Sequence, residues 1–286
     1  MPKPKPNQKV FQIPKRILLT GKVLQFVSPK LATRFVMKLF RTPFNFKRPR
    51  REQKMYSDFH KEKLWIPGLD KNIQVYEKGQ GSKKVLLIHG WAGRGTQLFK
   101  IAETLLDKGY HVYSFDATAH GDSDGETSAM PEYIACIMEI EKQYGCFEYA
   151  IGHSLGGMAL LHAVKDGFDV QKIVTIGAGD SITDICNQFV NRLGLKPKIA
   201  YLLKNRMDDM LGMDSELLSA NIAAKAVSIP TLVIHDTDDD DVPVSSAEQI
   251  RQRLTNGALF ITQGLGHRRI LIDPKVIEKI LQFFNK

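Results

Sequence analysis

The chemistry in this sequence is concentrated around one serine. Residues 149–158 read YAIGHSLGGM, so Ser154 lies between Gly152 and Gly156. The apolar residues before this segment predict a strand and those after it predict a helix, which puts the serine on a sharp strand-to-helix turn. Side chains at the two glycine positions would collide where the chain doubles back. The pattern predicts that the Ser154 hydroxyl is a nucleophile at the carboxyl end of a strand.

A serine hydroxyl needs a base to take its proton and an acidic group to orient that base. His267 follows the last predicted strand in the segment GLGHRR, and the loop after the preceding strand reads HDTDDDDVP. The ends of parallel strands meet at one edge of a sheet, so both loops would reach Ser154. We predict His267 as the base and one of the aspartates of residues 238–241 as its partner, and spacing alone does not choose among them.

A third segment completes this predicted site. The residues IHGWAG at 88–93 form a strand end that runs into a glycine-containing loop. Acyl transfer passes through a tetrahedral oxyanion, which backbone N–H groups in fixed positions stabilise. We predict that the amides of Trp91 and Leu155 form this oxyanion hole.

Five motifs in order, HGWAG, FDATAHGDSDG, GHSLGG, HDTDDDDVP and GLGHRRIL, resemble the α/β-hydrolase superfamily, and most of all a bacterial branch of esterase-like serine hydrolases. The resemblance covers residues 60–286. It implies that Ser154 is the nucleophile, His267 the base and Asp239 the acid, with Asp238 as the acid if the loop is shifted by one residue. Two positions depart from the family pattern, because Asp236 and Ala119 stand where glycine is usual.

The elements that must position these residues alternate between short β-branched runs and helical stretches, as in a mostly parallel sheet flanked by helices. We therefore predict an α/β-hydrolase fold in residues 55–286. About fifty mostly helical residues at 180–228 separate two strands, which predicts a helical lid insertion. Strands are predicted near residues 59–66, 73–78, 84–89, 110–115, 148–152, 172–176, 230–235 and 258–262, and helices near 96–108, 129–143, 155–166, 244–255 and 273–284.

The net charge of +9 belongs to the amino-terminal segment. Residues 1–54 contain 15 Lys and Arg and a single acid, Glu52, whereas the rest of the chain is slightly acidic. After Ser28 and Pro29, the apolar residues Leu31, Phe35 and Leu39, with the neighbouring Ala32, Val36 and Phe40, share one helix face, and Lys30, Arg34, Lys38 and Arg41 share another. We predict a basic extension with an amphipathic helix. Either its apolar face packs on the catalytic domain, or residues 14–51 contact an anionic membrane.

Other features limit the classes of protein. The apolar runs are far shorter than the ~20 residues of a membrane-spanning helix, and the run at 17–19 ends at Lys22 without a cleavage site for export. Three cysteines, Cys136, Cys146 and Cys186, fit a reducing compartment, where we interpret them as packing residues. We predict a cytoplasmic protein, with the inner membrane surface as a peripheral location. Nucleic-acid binding is not expected, because no nucleic-acid module accompanies the basic segment.

These features predict a serine hydrolase that cleaves a carboxylic ester through an acyl-enzyme intermediate. The substrate would be a small-molecule ester, and the apolar residues within 180–228 favour an apolar acyl group if they do more than pack the lid. No cofactor and no metal are expected. An acyltransferase or a cofactor-free perhydrolase on the same fold is the alternative, and a binding protein without catalysis is a further one.

Overall fold

The computed structural model describes residues 13–286. The chain divides into two compact units. Of the described residues, one unit comprises residues 13–40 together with Thr183–Gly212, and the other comprises Arg41–Ile182 together with Met213–Lys286. All of the predicted site residues lie in the second unit.

The second unit is built on an eight-stranded sheet with the strand order β1-β2-β4-β3-β5-β6-β7-β8. The pairs β1 with β2 and β2 with β4 are antiparallel, and the other neighbours are parallel. The strands are β1 (His60–Ile66), β2 (Lys71–Lys78), β3 (Lys84–Ile88), β4 (His111–Asp116), β5 (Phe147–His153), β6 (Val170–Ile176), β7 (Thr231–Asp236) and β8 (Gly257–Thr262).

Helices connect and flank these strands, which confirms the predicted mostly parallel α/β architecture. Three of them, α7 to α9, lie between β6 and β7, within the range predicted as an insertion. The helices are α1 (Lys15–Val27), α2 (Pro29–Arg41), α3 (Gln53–Asp58), α4 (Phe99–Asp107), α5 (Met130–Tyr144), α6 (Leu155–Lys165), α7 (Ile182–Arg192), α8 (Pro197–Leu211), α9 (Ala220–Ala223), α10 (Ser245–Arg253), α11 (Gly266–Arg269) and α12 (Pro274–Phe284).

The register of the parallel strands brings their carboxyl ends to one edge of the sheet. Ile88 of β3 pairs with Gly152 of β5, and His153 pairs with Ile176 of β6. The central strands are apolar on both faces and buried; β7, for example, is buried at all six positions. Such strands must be covered by helices on both sides of the sheet. Loops that leave this edge therefore rest on a rigid base.

In the first unit, α1 and α2 pack with residues 183–212. Gly21 of α1 lies so close to Leu195 that an added Cβ would be 3.3 Å from its side chain. The rings of Phe40 and Phe189 meet edge to face with centroids 5.2 Å apart. The side-chain oxygen of Gln25 accepts a hydrogen bond from the backbone N–H of Lys196 at 2.6 Å.

The helix predicted after Ser28 and Pro29 is α2, and Ala32 and Val36 of its predicted apolar face are buried. The buried side chains are Ala32, Thr33, Val36 and Met37. Leu31, also on the predicted face, is 42% exposed, and the buried side lies around Thr33 and Met37 instead. Within residues 13–286, no helix is both long and apolar enough to cross a bilayer.

Candidate active site

Ser154 stands at the turn between β5 and α6 in a strained backbone conformation, with φ 52° and ψ −121°. Its amide donates a hydrogen bond to the carbonyl of Ile176 at the end of β6, at 2.8 Å. The flanking glycines are needed because backbone approaches them closely. A Cβ on Gly152 would lie 2.5 Å from the oxygen of Gly156, and one on Gly156 would lie 2.5 Å from the oxygen of His89. The crowding expected from the sequence is therefore present, and it holds the serine on a tight turn.

His267 lies in α11, just after β8, and its imidazole contacts an aspartate from the loop after β7. The Nδ1 of His267 is 2.7 Å from Oδ2 of Asp239. A carboxylate only accepts hydrogen bonds, so Nδ1 carries the proton and donates it to Asp239. In a neutral imidazole with this tautomer, the lone pair is on Nε2, where it can accept a proton from a hydroxyl.

The Asp239 carboxylate is fixed by backbone groups of its own loop. Its Oδ1 accepts hydrogen bonds from the amides of Asp241 and Val242, both at 2.8 Å. Burial by itself raises the pKa of this carboxyl, but hydrogen bonds from His235 and His267 outweigh it and hold the pKa below its usual range. Asp239 is thus ionised and oriented. Of the aspartates at 238–241, the structure brings Asp239, the one that the family resemblance implied, to His267.

The residue before the serine links the serine turn to the histidine. The Nε2 of His153 is 2.9 Å from the backbone oxygen of His267, so it donates to that carbonyl. The two imidazole rings lie with centroids 4.7 Å apart. Burial, and to a smaller extent the neighbouring His267, lowers the pKa of His153 to about 3, so His153 is neutral. The side chain of His153 is therefore a support for the loop of His267.

Asp236 contributes to the site, although no role was predicted for it from the sequence. This side chain, at the end of β7, is fully buried. Its Oδ1 accepts from the amide of Gly266 at 2.9 Å, and its Oδ2 accepts from the amide of Leu265 at 3.1 Å and from the hydroxyl of Thr262 at 2.7 Å. Asp236 therefore fastens the segment that carries His267. Its only sequence signal was the departure from the glycine usual in the family.

The loop after β3 approaches the serine directly. A Cβ on Gly90 would lie 2.7 Å from the Cβ of Ser154. Within this loop, the amide of Ala92 donates to Nε2 of His120 at 3.1 Å and that of Gly93 donates to the oxygen of Gly90 at 3.0 Å. The loop thus places Trp91, one of the two predicted oxyanion-hole residues, beside the serine turn. The other, Leu155, directly follows Ser154 at the first position of α6.

The segment 115–125, which contains the motif FDATAHGDSDG, holds the loop after β3. His120 accepts from Ala92 and donates through Nδ1 to the oxygen of Thr118 at 2.9 Å. Asp116 accepts from the amide of Gly95 at 2.7 Å, and the amide of Ala117 donates to Nε2 of His89 at 2.9 Å. Three separate hydrogen bonds therefore join the two loops.

Burial sets the protonation of these groups. It lowers the pKa of His120 to about 4 and that of His89 well below its ordinary value, so both rings are neutral and can accept amide hydrogens. It also raises the pKa of Asp116 to about 6. Backbone strain is concentrated in the same region. Of the four described residues other than glycine with positive φ, three are Ala92, Ala119 and Ser154.

Potential metal ligands lie elsewhere. Glu141, Cys146 and Asp169 come within 4.8 Å of one another at the amino ends of β5 and β6, at the opposite end of the strands from Ser154. Exposed acidic groups commonly gather without a metal. Cys136 and Cys186 are buried as predicted, whereas the packing role predicted for Cys146 is wrong, because this residue is exposed in the turn before β5.

Comparison with known proteins supports the family suggested by the motifs. The alpha/beta hydrolase fold family matches residues 83–189. The TAP-like protein family matches residues 213–286. The first match contains Ser154 and the second contains Asp239 and His267. The chain belongs to the α/β-hydrolase superfamily.

Individual relatives are distant. The thermostable monoacylglycerol lipase of Bacillus sp. (strain H-257) is 25% identical over 232 residues, which cover 72% of this chain and 92% of the lipase. The human protein ABHD12B is 25% identical over 226 residues, and these span 72% of this chain but only 61% of that relative. Among solved structures, the esterase Pf2001 of Pyrococcus furiosus has a TM-score of 0.66 at 17% identity and covers 85% of this chain and 96% of its own. At that identity the structural match supports the fold alone.

Proposed function

We propose that this protein is a serine hydrolase that cleaves carboxylic esters through Ser154, His267 and Asp239. The observation that carries the proposal is the 2.7 Å hydrogen bond between His267 and a buried Asp239, next to the strained turn of Ser154. The arrangement contains a serine hydroxyl, an imidazole oriented through Nδ1 and a fixed carboxylate. The named lipase among the relatives supports the same class of reaction.

In the proposed reaction, Nε2 of His267 takes the hydroxyl proton of Ser154 as Oγ attacks the ester carbonyl. The amides of Trp91 and Leu155 bind the resulting oxyanion, and each such donor contributes roughly 3–4 kcal/mol to transition-state stabilisation. His267 then protonates the leaving alcohol as the C–O bond of the ester breaks. Water, deprotonated by the same imidazole, attacks the acyl-enzyme and releases the acid. Asp239 stabilises the imidazolium during both steps.

Labelling with a fluorophosphonate probe tests the nucleophile. We expect the unsubstituted chain to be labelled and Ser154→Ala not to be, with hydrolysis of p-nitrophenyl esters reduced by at least about 10³-fold. Ser245→Ala, at an exposed serine in the first turn of α10, is the matched control and should retain both signals. Equal labelling of Ser154→Ala and the unsubstituted chain would contradict the proposal.

We further propose an ester with an apolar acyl chain as the substrate, with the protein in the bacterial esterase-like branch of the superfamily. A monoacylglycerol lipase is among the relatives, and the insertion after β6 is rich in apolar side chains. A series of p-nitrophenyl esters of increasing chain length should give a rising kcat/KM up to an optimum beyond acetate. A maximum at acetate would contradict the apolar pocket. Alcohol added as a competing acceptor would reveal an acyltransferase by the formation of a new ester.

We also propose that the protein acts in the cytoplasm and that residues 14–51 contact an anionic membrane. The support for the cytoplasm is the sparse use of cysteine, and the support for membrane contact is charge, because residues 14–51 contain 11 Lys and Arg and no acid. Each basic side chain near an anionic surface contributes about 1 kcal/mol. We expect the protein to bind anionic vesicles at low ionic strength and to be released at high ionic strength, since salt screens this attraction.

A further inference from the structure

Helix α1 is apolar on two opposite faces. On one face Gly21 packs against Leu195 and Phe35 within the first unit. On the other face, four apolar side chains spaced at helical intervals are largely exposed. They are Leu19 at 64%, Val23 at 53%, Phe26 at 93% and Val27 at 66%.

A helix on the surface of a soluble protein normally keeps its outward face polar. The outward face of α1 does the reverse, and Phe26 exposes nearly its whole side chain to water. We call Leu19, Val23, Phe26 and Val27 the α1 stripe. Its exposure costs the protein solubility, so the stripe is best explained by a partner that covers it.

The charge around the stripe indicates what kind of partner this is. Lys15, Arg16 and Lys22 are exposed on α1 itself, and no acidic residue occurs before Glu52. Lysine is depleted in interfaces between proteins. An apolar row bordered by Lys and Arg is instead typical of helices that lie in the surface of a bilayer, with the row among the acyl chains and the cations at the headgroups.

A hollow beside the stripe fits a lipid headgroup. Phe26 and Gln25 line it together with Lys22 on one side and residues 194–197 on the other. The Lys22 side chain passes over Gly194, where an added Cβ would lie 3.4 Å from Cε. Lys22 and Lys196 thus border one recess of about 580 Å³, next to Phe26, the most exposed aromatic side chain of residues 13–286.

We propose that α1 is the element that docks on an anionic lipid bilayer, with the α1 stripe inserted among the acyl chains and Lys22 and Lys196 at the lipid phosphates. This inference rests on the proposed membrane contact and names the helix responsible for it. The amphipathic helix expected from the sequence, α2, buries Ala32, Val36 and Met37. Those side chains are therefore unavailable for insertion.

Flotation of the full chain with vesicles tests the proposal. The chain should float with vesicles of phosphatidylcholine mixed with phosphatidylglycerol and much less with phosphatidylcholine alone. The double variant Val23→Ser/Phe26→Ser should bind the mixed vesicles at least roughly tenfold more weakly, because two apolar side chains no longer leave water. The double variant Lys22→Gln/Lys196→Gln should bind the mixed vesicles on the order of tenfold more weakly, or weaker still, because two cations no longer face the anionic headgroups.

The matched control is Trp65→Ser, which removes a 46% exposed aromatic side chain from β1 in the second unit. It should float like the unsubstituted chain. A Phe26→Trp chain gives a direct readout of insertion, because brominated lipids should quench its added fluorescence. Thermal unfolding should be unchanged in all of these variants, since the substituted side chains are exposed.

Equal flotation of Val23→Ser/Phe26→Ser and the unsubstituted chain would overturn the inference, as would absence of flotation or of quenching. Hydrolysis of a soluble short-chain p-nitrophenyl ester keeps the two proposals distinguishable. We expect it to be unchanged in the α1 variants. If the unsubstituted chain binds vesicles through α1 but hydrolyses no ester, the proposed function fails and the docking surface stands.

Discussion

The loop after β7 shows how single side chains divide the work at this site. It contains four consecutive aspartates at 238–241, yet only Asp239 is buried against two histidines and two backbone amides. Like charges this close together cannot all be buried as anions, so one position must be selected by hydrogen-bond donors. The donors surrounding Asp239 make that selection.

Substitution of Asp239 tests this selection. Asp239→Asn keeps the size of the side chain but places no carboxylate beside Nδ1 of His267. The imidazole is then free to adopt the wrong tautomer, and we expect kcat for a soluble ester to fall by roughly 10³–10⁴-fold. Asp238→Asn is the matched control in the neighbouring position and should change kcat little. A large loss in Asp238→Asn with full activity in Asp239→Asn would reverse the assignment of the acid.

His120 provides a test by pH. Its pKa falls from an ordinary value of about 6.5 to about 4 on burial. The unfolded chain therefore binds a proton at this residue between these pH values while the folded chain does not, and stability rises with pH across that interval. The contribution is fully present above pH 6.5 and amounts to about 3 kcal/mol.

His120→Gln removes this titration but keeps an oxygen that can accept from the amide of Ala92. Urea unfolding at several pH values should show the unsubstituted chain losing stability relative to His120→Gln as the pH falls from about 6.5 towards 4. The other buried histidines are common to both chains, so their titration cancels in the difference. Parallel curves for the two chains would contradict the neutral, buried state of His120.

At the scale of elements, the site depends on loops that are tied to each other as well as to the sheet. Asp236 at the end of β7 holds the segment before α11, and His120 and Asp116 hold the loop after β3. Each connection uses a buried side chain that satisfies backbone amides. Loss of one would leave those amides without partners in the interior, which is costly.

Asp236→Ala tests this arrangement. The amides of Leu265 and Gly266 would lose their acceptor, and we expect the free energy of unfolding to fall by about 1–3 kcal/mol. Because the loop of His267 would shift, kcat should fall more than KM changes. Asp273→Ala, which removes the side-chain cap of α12, should give a similar loss of stability of about 1 kcal/mol or more with kcat unchanged. Equal kcat in both variants would show that Asp236 does not position His267.

At the scale of the whole molecule, the change of charge along the sequence does not coincide with the boundaries of the compact units. The basic extension was predicted to end at residue 54, but residues 41–54 lie in the second unit and Thr183–Gly212 lie in the first. Glu52 is buried there, with its carboxylate 2.8 Å from the hydroxyl of Thr96 and 3.6 Å from Nε of Arg94. The described part of the amino-terminal segment, residues 13–54, therefore belongs to the folded structure on both sides of residue 40.

Chains that begin at residue 41 or at residue 55 separate these contributions. Both lack α1 and α2, so residues 183–212 lose the side chains of Gln25 and Phe40 against which they pack, and both should bind a hydrophobic dye more than the full chain. The chain beginning at residue 55 also leaves Arg94 without its buried acid, which we expect to lower its stability by a further 3–5 kcal/mol or so. Identical dye binding by the residue-41 chain and the full chain would contradict a packed first unit.

Most of the fold and part of the site could be predicted from local patterns. The strands and Ser154 were readable because their signals lie within ten residues of one another. Asp236 and His120 were not, because their partners are 30 and 28 residues away and depend on how strands pair. The pairing of α1 with Lys196 spans 171 residues, a distance over which composition and periodicity give no information.

The hydrogen bond from His153 to the carbonyl of His267 has a mechanical consequence. Ser154 and His267 lie on different loops, but this bond joins the side chain next to Ser154 to the backbone of His267. A displacement of the serine turn would therefore also move the segment that carries the imidazole. We therefore expect heating to displace both residues in one transition, with no temperature range in which Ser154 is in place and His267 is not.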